Sequence, residues 1–128
     1  ENFDDLAKIL AKYKVDYIIL AGFLLKIPSK MIEQYPNKII NIHPALLPKY
    51  GGKGMYGENI YKAVLQNKET KSGISVHFVN QNYDEGKIIF QKSFSLSPDE
   101  NLESLTAKIH ELEQSLLPKI IEKTLFSL

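Results

Sequence analysis

The chain has 128 residues, of which 44% are hydrophobic, and this suits one globular domain with its own core but is short for two. The 16 Lys and Arg nearly balance the 15 Asp and Glu, so charge does not indicate a nucleic acid or an acidic membrane as partner, and we expect small-molecule ligands instead. The chain has no cysteine, which excludes disulfides and thiolate chemistry, and no apolar run near the roughly 20 residues of a membrane helix. We expect a soluble, cytoplasmic protein.

The first part of the chain alternates helical and strand patterns. Residues 3–13 place apolar side chains at helical spacing and predict an amphipathic helix, while the short apolar stretch 17–21 predicts a strand buried on both faces. A short helix over 29–35, preceded by Pro28, and a second buried strand over 38–42 follow. A strand, a helix and a strand in this order predict a parallel pair joined by a crossover.

The middle of the chain breaks this regularity. Residues 44–57 contain two prolines and four glycines and lack any period, which predicts a loop. A helix over about 58–66 follows, and its apolar residues share one side. Apolar and polar residues alternate over 72–80, and a further apolar run begins at Lys87, so two strands joined by a polar turn are predicted here.

The last segment predicts a long helix. Ser97 and Glu100 have the spacing of a capping box, and Pro98 occupies what would be the first helical position. Pro118 should kink or divide this helix. Together the elements predict one domain over 1–128, with no second domain, and an α/β fold with an open, mostly parallel sheet flanked by helices.

Asn41 and His43 are two polar residues in an otherwise apolar strand. Residues two apart on a strand project to the same side, and Pro44, which has no N–H, ends the strand at its carboxyl end, where open α/β sheets bind ligands. An amide and an imidazole in that position suit acyl transfer, because the amide can hydrogen-bond an oxyanion and the imidazole can move a proton. A buried pair that only satisfies backbone groups is the alternative.

The other polar candidates carry weaker signals. Asp84 lies in a turn, where Asp is common anyway, although a carboxylate close to His43 would favour the imidazolium form. His77 is interpreted as a structural histidine of a strand. His110 and Glu113 are one helical turn apart and can face one ligand, but a solvated helix face is the favoured interpretation from the residues alone. No ligand pattern such as His-Glu-x-x-His occurs, so no metal site is predicted.

Four segments resemble a known family: "AGF" from Ala21, "NIHPALLPKY" from Asn41, "SGISVHFVN" from Ser72 and "YDEGKIIFQ" from Tyr83. In this order they resemble the folate-dependent formyltransferases, specifically the glycinamide ribonucleotide formyltransferases of purine synthesis. The resemblance implies a Rossmann-like fold and formyl transfer from 10-formyltetrahydrofolate, a co-substrate, to the amine of 5-phosphoribosylglycinamide, without a metal. It implies no nucleic-acid or membrane partner, and a monomer or homodimer.

The resemblance also assigns roles to residues. It implies that Asn41 and protonated His43 stabilise a tetrahedral oxyanion, that His43 gives its proton to the leaving folate nitrogen, and that Asp84 keeps His43 protonated. The positions implied to bind the folate, largely through backbone groups, are Leu24, Leu25, Lys26, Ile27, Asn41, Val79, Asn80, Gln81, Asn82, Tyr83 and Asp84. Those implied to bind the ribonucleotide are His110, Glu111, Leu112 and Glu113.

The sequence departs from the family in two places. The family usually has a basic residue at the position of Leu25, and it begins with a strand and Gly-rich turn that hold the substrate phosphate, so we expect this chain to be N-terminally incomplete. Related alternatives are methionyl-tRNA and sugar-nucleotide formyltransferases and formyltetrahydrofolate hydrolase, although the hydrolase usually has a second histidine where Pro44 stands. A folate-binding module without activity is the alternative from another class.

Overall fold

The computed structural model describes residues 3–21, 27–80 and 86–126. No helix within these ranges is long and apolar enough to cross a membrane. The helices and strands, in chain order, are α1 (Phe3–Lys12), β1 (Ile18–Ala21), α2 (Ser29–Gln34), β2 (Ile39–His43), α3 (Glu58–Gln66), β3 (Lys71–Phe78), β4 (Ile88–Ser95) and α4 (Leu102–Phe126). The predicted elements are all present, and β2 covers 39–43 instead of 38–42, so that it ends at His43, directly before Pro44.

The described strands form one sheet in the order β1-β2-β3-β4. β1 and β2 are parallel, as predicted, with Ile18 opposite Ile39. β2 and β3 are antiparallel, with Asn41 opposite His77, and so are β3 and β4. The open α/β sheet with flanking helices is therefore confirmed, but its described part is mixed, with one parallel and two antiparallel pairings where mostly parallel pairing was expected. A short polar connection between β3 and β4 permits only an antiparallel pair.

The two faces of β2 belong to two hydrophobic clusters. Ile40 and Ile42 pack in the cluster that contains the buried residues of α3 and α4. Ile39 packs on the other side, with Met31 of α2 and partly buried residues of α1. Because side chains alternate along a strand, Asn41 and His43 lie on the same face as Ile39, beyond the end of its cluster. The strand thus separates a fully apolar layer from the layer that carries its polar residues.

The start of α4 differs from the prediction. Ser97 and Glu100 do interact, since the Ser97 N–H donates to Glu100 Oε1 at 3.2 Å, but the helix begins later, at Leu102. Asn101 caps it: its Oδ1 accepts from the Ser104 N–H at 2.8 Å, and its own N–H donates to Ser104 Oγ at 3.0 Å. Ser97 Oγ accepts from the Asp99 N–H, and the Glu100 N–H donates to the Ser97 carbonyl. The reciprocal cap therefore forms only at Asn101, and the predicted start at Pro98 is wrong.

Pro118 does not divide the last helix. α4 runs from Leu102 to Phe126 with Pro118 inside it. A proline removes one backbone hydrogen bond, to the carbonyl four residues earlier, and that residue is Gln114. Pro118 and Gln114 are both exposed, so water can satisfy the carbonyl that the proline leaves without a partner.

Candidate active site

Four polar side chains meet on one face of the sheet, at the carboxyl end of β2. Asn41 and His43 lie opposite His77 and Ser75 of the antiparallel neighbour β3. His43, Ser75 and His77 are almost completely buried, whereas Asn41 is half-buried and so keeps access to solvent. Directly opposite residues share a face of a sheet, so the four side chains form one polar group rather than two separate pairs.

His77 orients the amide of Asn41. His77 Nδ1 lies 2.9 Å from the carbonyl oxygen of Phe78, which can only accept, so Nδ1 carries a proton. In a neutral ring Nε2 is then an acceptor, and it lies 3.3 Å from Asn41 Nδ2. The amide must therefore turn its NH₂ group toward β3. One N–H donates to His77, and this contact also fixes the direction of the second N–H. A side chain interpreted as structural from the sequence thus fixes a candidate oxyanion donor.

The imidazole of His43 is held by the loop after β2. His43 Nε2 lies 2.7 Å from the carbonyl oxygen of Tyr50. Because a carbonyl only accepts, Nε2 carries a proton in both the neutral and the charged ring. The proton that the ring gains or loses is consequently the one on Nδ1.

The loop over 44–57 is fastened to the sheet at its start. The Ser75 hydroxyl donates to the Ala45 carbonyl at 2.7 Å and accepts from the Leu47 N–H at 2.9 Å. Gln91 of β4 donates to the Leu47 carbonyl, also at 2.9 Å. The Leu47–Pro48 peptide bond is cis. Buried backbone groups of the loop thus find partners on β3 and β4, and this positions Tyr50 for its contact with His43.

Comparison with known proteins shows which family this chain resembles. The model of the family described as "Formyl transferase" matches residues 1–121. This chain belongs to the formyl transferase family. It is 40% identical over 117 residues to the chloroplastic phosphoribosylglycinamide formyltransferase of Arabidopsis thaliana, an alignment that covers 91% of this chain but 40% of that protein.

Solved structures of formyl transferases have the same fold. The crystal structure of phosphoribosylglycinamide formyltransferase from Bacillus halodurans superimposes with a TM-score of 0.85 at 29% identity, covering 95% of this chain and 60% of that one. A formyltetrahydrofolate deformylase from Pseudomonas syringae has a TM-score of 0.81 at 22% identity, over 91% of this chain and 38% of that one, which shows a shared fold alone. The chain spans about half the length of such relatives.

Several residues that the family resemblance implies for folate binding lie outside the described ranges. These are Leu24, Leu25, Lys26, Gln81, Asn82, Tyr83 and Asp84, so the expected approach of Asp84 to His43 stays a prediction. Ile27 is described, and its side chain is buried in the cluster of α1 and α2. The Val79 N–H donates to the Ile39 carbonyl at 2.8 Å, so that backbone donor serves the sheet. Asn80, the next residue in the chain, is exposed.

The second predicted set of formyl transferase residues lies on α4. His110 and Glu111 are exposed, Leu112 packs against the cluster of α3 and α4, and Glu113 is half-buried. α4 packs on the face of the described sheet opposite to Asn41 and His43, so the helix that carries the ribonucleotide positions and the Asn41–His43 pair lie on different faces. Glu113 lies near Tyr61 of α3 instead, and burial together with the charge of Glu113 raises the pKa of Tyr61 to about 12.

Burial also changes the ionisation of Glu113 itself. It raises the pKa of this carboxyl group, while the neighbouring charge of His110 acts in the opposite direction. Ionised Glu113 is therefore under-solvated and would gain from a hydrogen-bond donor. Within the described ranges, no three His, Asp or Glu residues are grouped so that they could hold a metal ion.

Proposed function

We propose that this chain is part of a catalytic domain that transfers a formyl group from 10-formyltetrahydrofolate to the amine of 5-phosphoribosylglycinamide, in de novo purine biosynthesis. The observation that carries the proposal is the pairing, at the carboxyl end of β2, of an oriented amide and a held imidazole. The names of relatives that match most of this chain support the choice of substrates. We also propose a cytoplasmic location and a monomer or homodimer.

Asn41 supplies the electrostatic part of the reaction. The substrate amine attacks the formyl carbon, a C–N bond forms, and the formyl oxygen becomes an oxyanion. The Asn41 N–H that does not bind His77 donates to this oxygen. Such a donor stabilises the transition state strongly when it is already oriented, because no reorganisation is needed as the charge develops.

His43 supplies the proton. Since Nε2–H is engaged by Tyr50, the acidic proton of the imidazolium is the one on Nδ1. The charged ring stabilises the oxyanion, and Nδ1–H then protonates the folate nitrogen as its bond to the formyl carbon breaks. The amine loses one proton in the same sequence, so the ring can be recharged and the protons balance. We propose that Asp84 favours the imidazolium form as a nearby carboxylate would.

The remaining predicted residues are proposed to bind the two substrates. Ile27 is buried, so a folate contact at this position would come from its backbone. Glu113 is suited to accept hydrogen bonds from the ribonucleotide's hydroxyl groups, because donors would relieve the cost of its burial. The proposed folate positions are Leu24, Leu25, Lys26, Ile27, Asn41, Val79, Asn80, Gln81, Asn82, Tyr83 and Asp84, and the proposed ribonucleotide positions are His110, Glu111, Leu112 and Glu113.

The test is an assay of the full-length protein with 10-formyltetrahydrofolate, with and without 5-phosphoribosylglycinamide. We expect tetrahydrofolate and the formylated amine in equal amounts, and only when both substrates are present. Release of formate without the amine would instead identify a hydrolase. Binding of the folate without either product would identify a non-catalytic module.

A further inference from the structure

Tyr50 has an unusual backbone conformation, and both its carbonyl group and its hydroxyl group are hydrogen-bonded. Its φ of 58° is in the left-handed region, which is unfavourable for a residue other than glycine. Its carbonyl accepts from His43 Nε2 at 2.7 Å. Its hydroxyl donates to Glu69 Oε2 at 2.6 Å and accepts from Asn67 Nδ2 at 3.0 Å. Strain of this kind persists only where the surroundings enforce it, and here they do so from the connection between α3 and β3.

In the hydrogen bond between Tyr50 and Glu69, the phenol is the donor and the carboxylate is the acceptor. Burial and the hydrogen bond to Glu69 raise the pKa of the Tyr50 hydroxyl, which therefore stays protonated. The same hydrogen bond lowers the pKa of Glu69, which stays ionised. A phenol that donates to a carboxylate is a charge-assisted bond, stronger than a neutral one. Lys49 adds little, because its ammonium group is mostly exposed and lies 3.4 Å away.

We propose that Glu69 is a positioning residue for His43 and acts through Tyr50. The carboxylate fixes the phenol, the phenol holds the Tyr50 backbone in its left-handed conformation, and that conformation presents the carbonyl to His43 Nε2. The consequence is one imidazole tautomer, with Nδ1 as the nitrogen that exchanges the proton. The effect on turnover rests on the proposed function, whereas the effect on the tautomer does not.

The simpler interpretation is that this contact only fastens the loop. Tyr50 and Glu69 line a cavity of about 410 Å³ whose other walls include Gln91 and Ser93, and the lining includes neither Asn41 nor His43. Glu69 takes no part in the hydrogen bonds of Asn41 with His77 and of His43 with the Tyr50 carbonyl, so its replacement removes neither of these partners. A pure fastening role predicts lower stability with an unchanged His43 ring, and this difference separates the two interpretations.

The experiment compares Tyr50→Phe and Glu69→Ala in the full-length protein with two matched controls. Tyr56→Phe removes a phenol hydroxyl from an exposed residue of the same loop, and Glu58→Gln neutralises an exposed carboxylate of α3. We expect kcat to fall about 3- to 10-fold in the two test variants, as for the loss of one hydrogen bond, with both KM values within about twofold. Glu69→Gln, whose amide oxygen can still accept from the phenol, should restore kcat to within about twofold of the wild type.

Nitrogen-15 NMR of the His43 ring gives a readout that does not need turnover. We expect the neutral ring to be protonated on Nε2 in the wild type and both controls, and to become a mixture of tautomers in Tyr50→Phe and Glu69→Ala. An unchanged tautomer in both test variants, or a wild-type ring protonated on Nδ1, would overturn the proposal. A wild type that transfers no formyl group but shows the tautomer change would overturn the proposed function and leave the positioning role supported.

Discussion

The two faces of the β2–β3 pair differ sharply in what they do. Ile40, Ile42, Ile74 and Val76 are completely or almost completely buried in the cluster of α3 and α4. One residue away along the same strands, Asn41, His43, Ser75 and His77 form the polar group of the candidate site. Strand alternation alone thus places the groups for stability and the groups for chemistry on opposite sides of one backbone. Substitutions on the two faces should therefore have separable effects.

The largest effect is expected on the polar face, from His43→Ala. Loss of the proton donor should lower kcat by about 10²- to 10⁴-fold, the usual range for a general acid or base. The measurement is steady-state kinetics with both substrates, and circular dichroism checks that the variant is folded. Wild-type turnover in His43→Ala would refute the assignment.

The apolar face should respond in the opposite way to Ile42→Ala. Ile42 is 3% exposed, and truncation of a buried isoleucine costs about 2–5 kcal/mol of unfolding free energy. Urea unfolding measures this loss, and kcat per folded molecule should stay close to the wild-type value. Ile88→Ala on β4 is the control, because Ile88 is 40% exposed and a surface change of this kind costs within about 0.5 kcal/mol. Equal losses in both variants would contradict the division of the faces.

A more moderate effect is expected at His77, the residue of the polar face that orients Asn41. His77→Phe keeps most of the volume but removes the acceptor for Asn41, so the amide is no longer held and kcat should fall about 10-fold. His77→Gln offers an amide oxygen as acceptor and should recover part of the loss. If His77→Phe lowers stability but leaves kcat unchanged, His77 is structural, as the sequence alone indicated.

The smallest effect concerns stability at Glu113, on the apolar side of the sheet. Burial raises the pKa of Glu113 above its unfolded value, so folding takes up a proton in the range between the two values, and the ionised form costs stability at neutral pH. Glu113→Gln should therefore raise the unfolding temperature slightly at pH 7 and leave it nearly unchanged at pH values below the unfolded pKa. If Glu113 binds the ribonucleotide, the same variant should have a higher KM for that substrate only. A lower unfolding temperature at pH 7 would show that the carboxylate is stabilising.

Local signals predicted most of this fold. Hydrophobic period located the helices and strands, and Pro44 correctly indicated that β2 ends at His43, because both signals depend on neighbouring residues. The partner of Asn41 depends instead on which strand pairs with β2 and in what register. Alternation along β3 showed that Ser75 and His77 share a face, but only the antiparallel pairing places them opposite His43 and Asn41. The role of His77 was therefore missed.

The predicted start of α4 was wrong, and Pro118 does not divide this helix. The candidate caps at Ser97 and Asn101 follow each other in the sequence, but only one hydrogen bond of the first capping box forms, whereas the reciprocal pair of Asn101 and Ser104 forms and begins α4. The carbonyl that Pro118 leaves without a helical partner belongs to the exposed Gln114, and this exposure could not be read from the sequence. Asp84 stays a prediction, because it lies outside the described ranges.

The hydroxyl of Ser75 has a consequence for how this domain can change. Its proton goes to Ala45, and its oxygen accepts from Leu47 and from Gln91, so its hydrogen-bonding capacity is used completely. The root of the loop is therefore anchored independently of the residues at the loop's tip. We therefore expect substitutions at exposed positions of residues 51–56 to leave Asn41 and His43 in place, whereas Met55 packs against the cluster of α3 and α4 and should tolerate change less well.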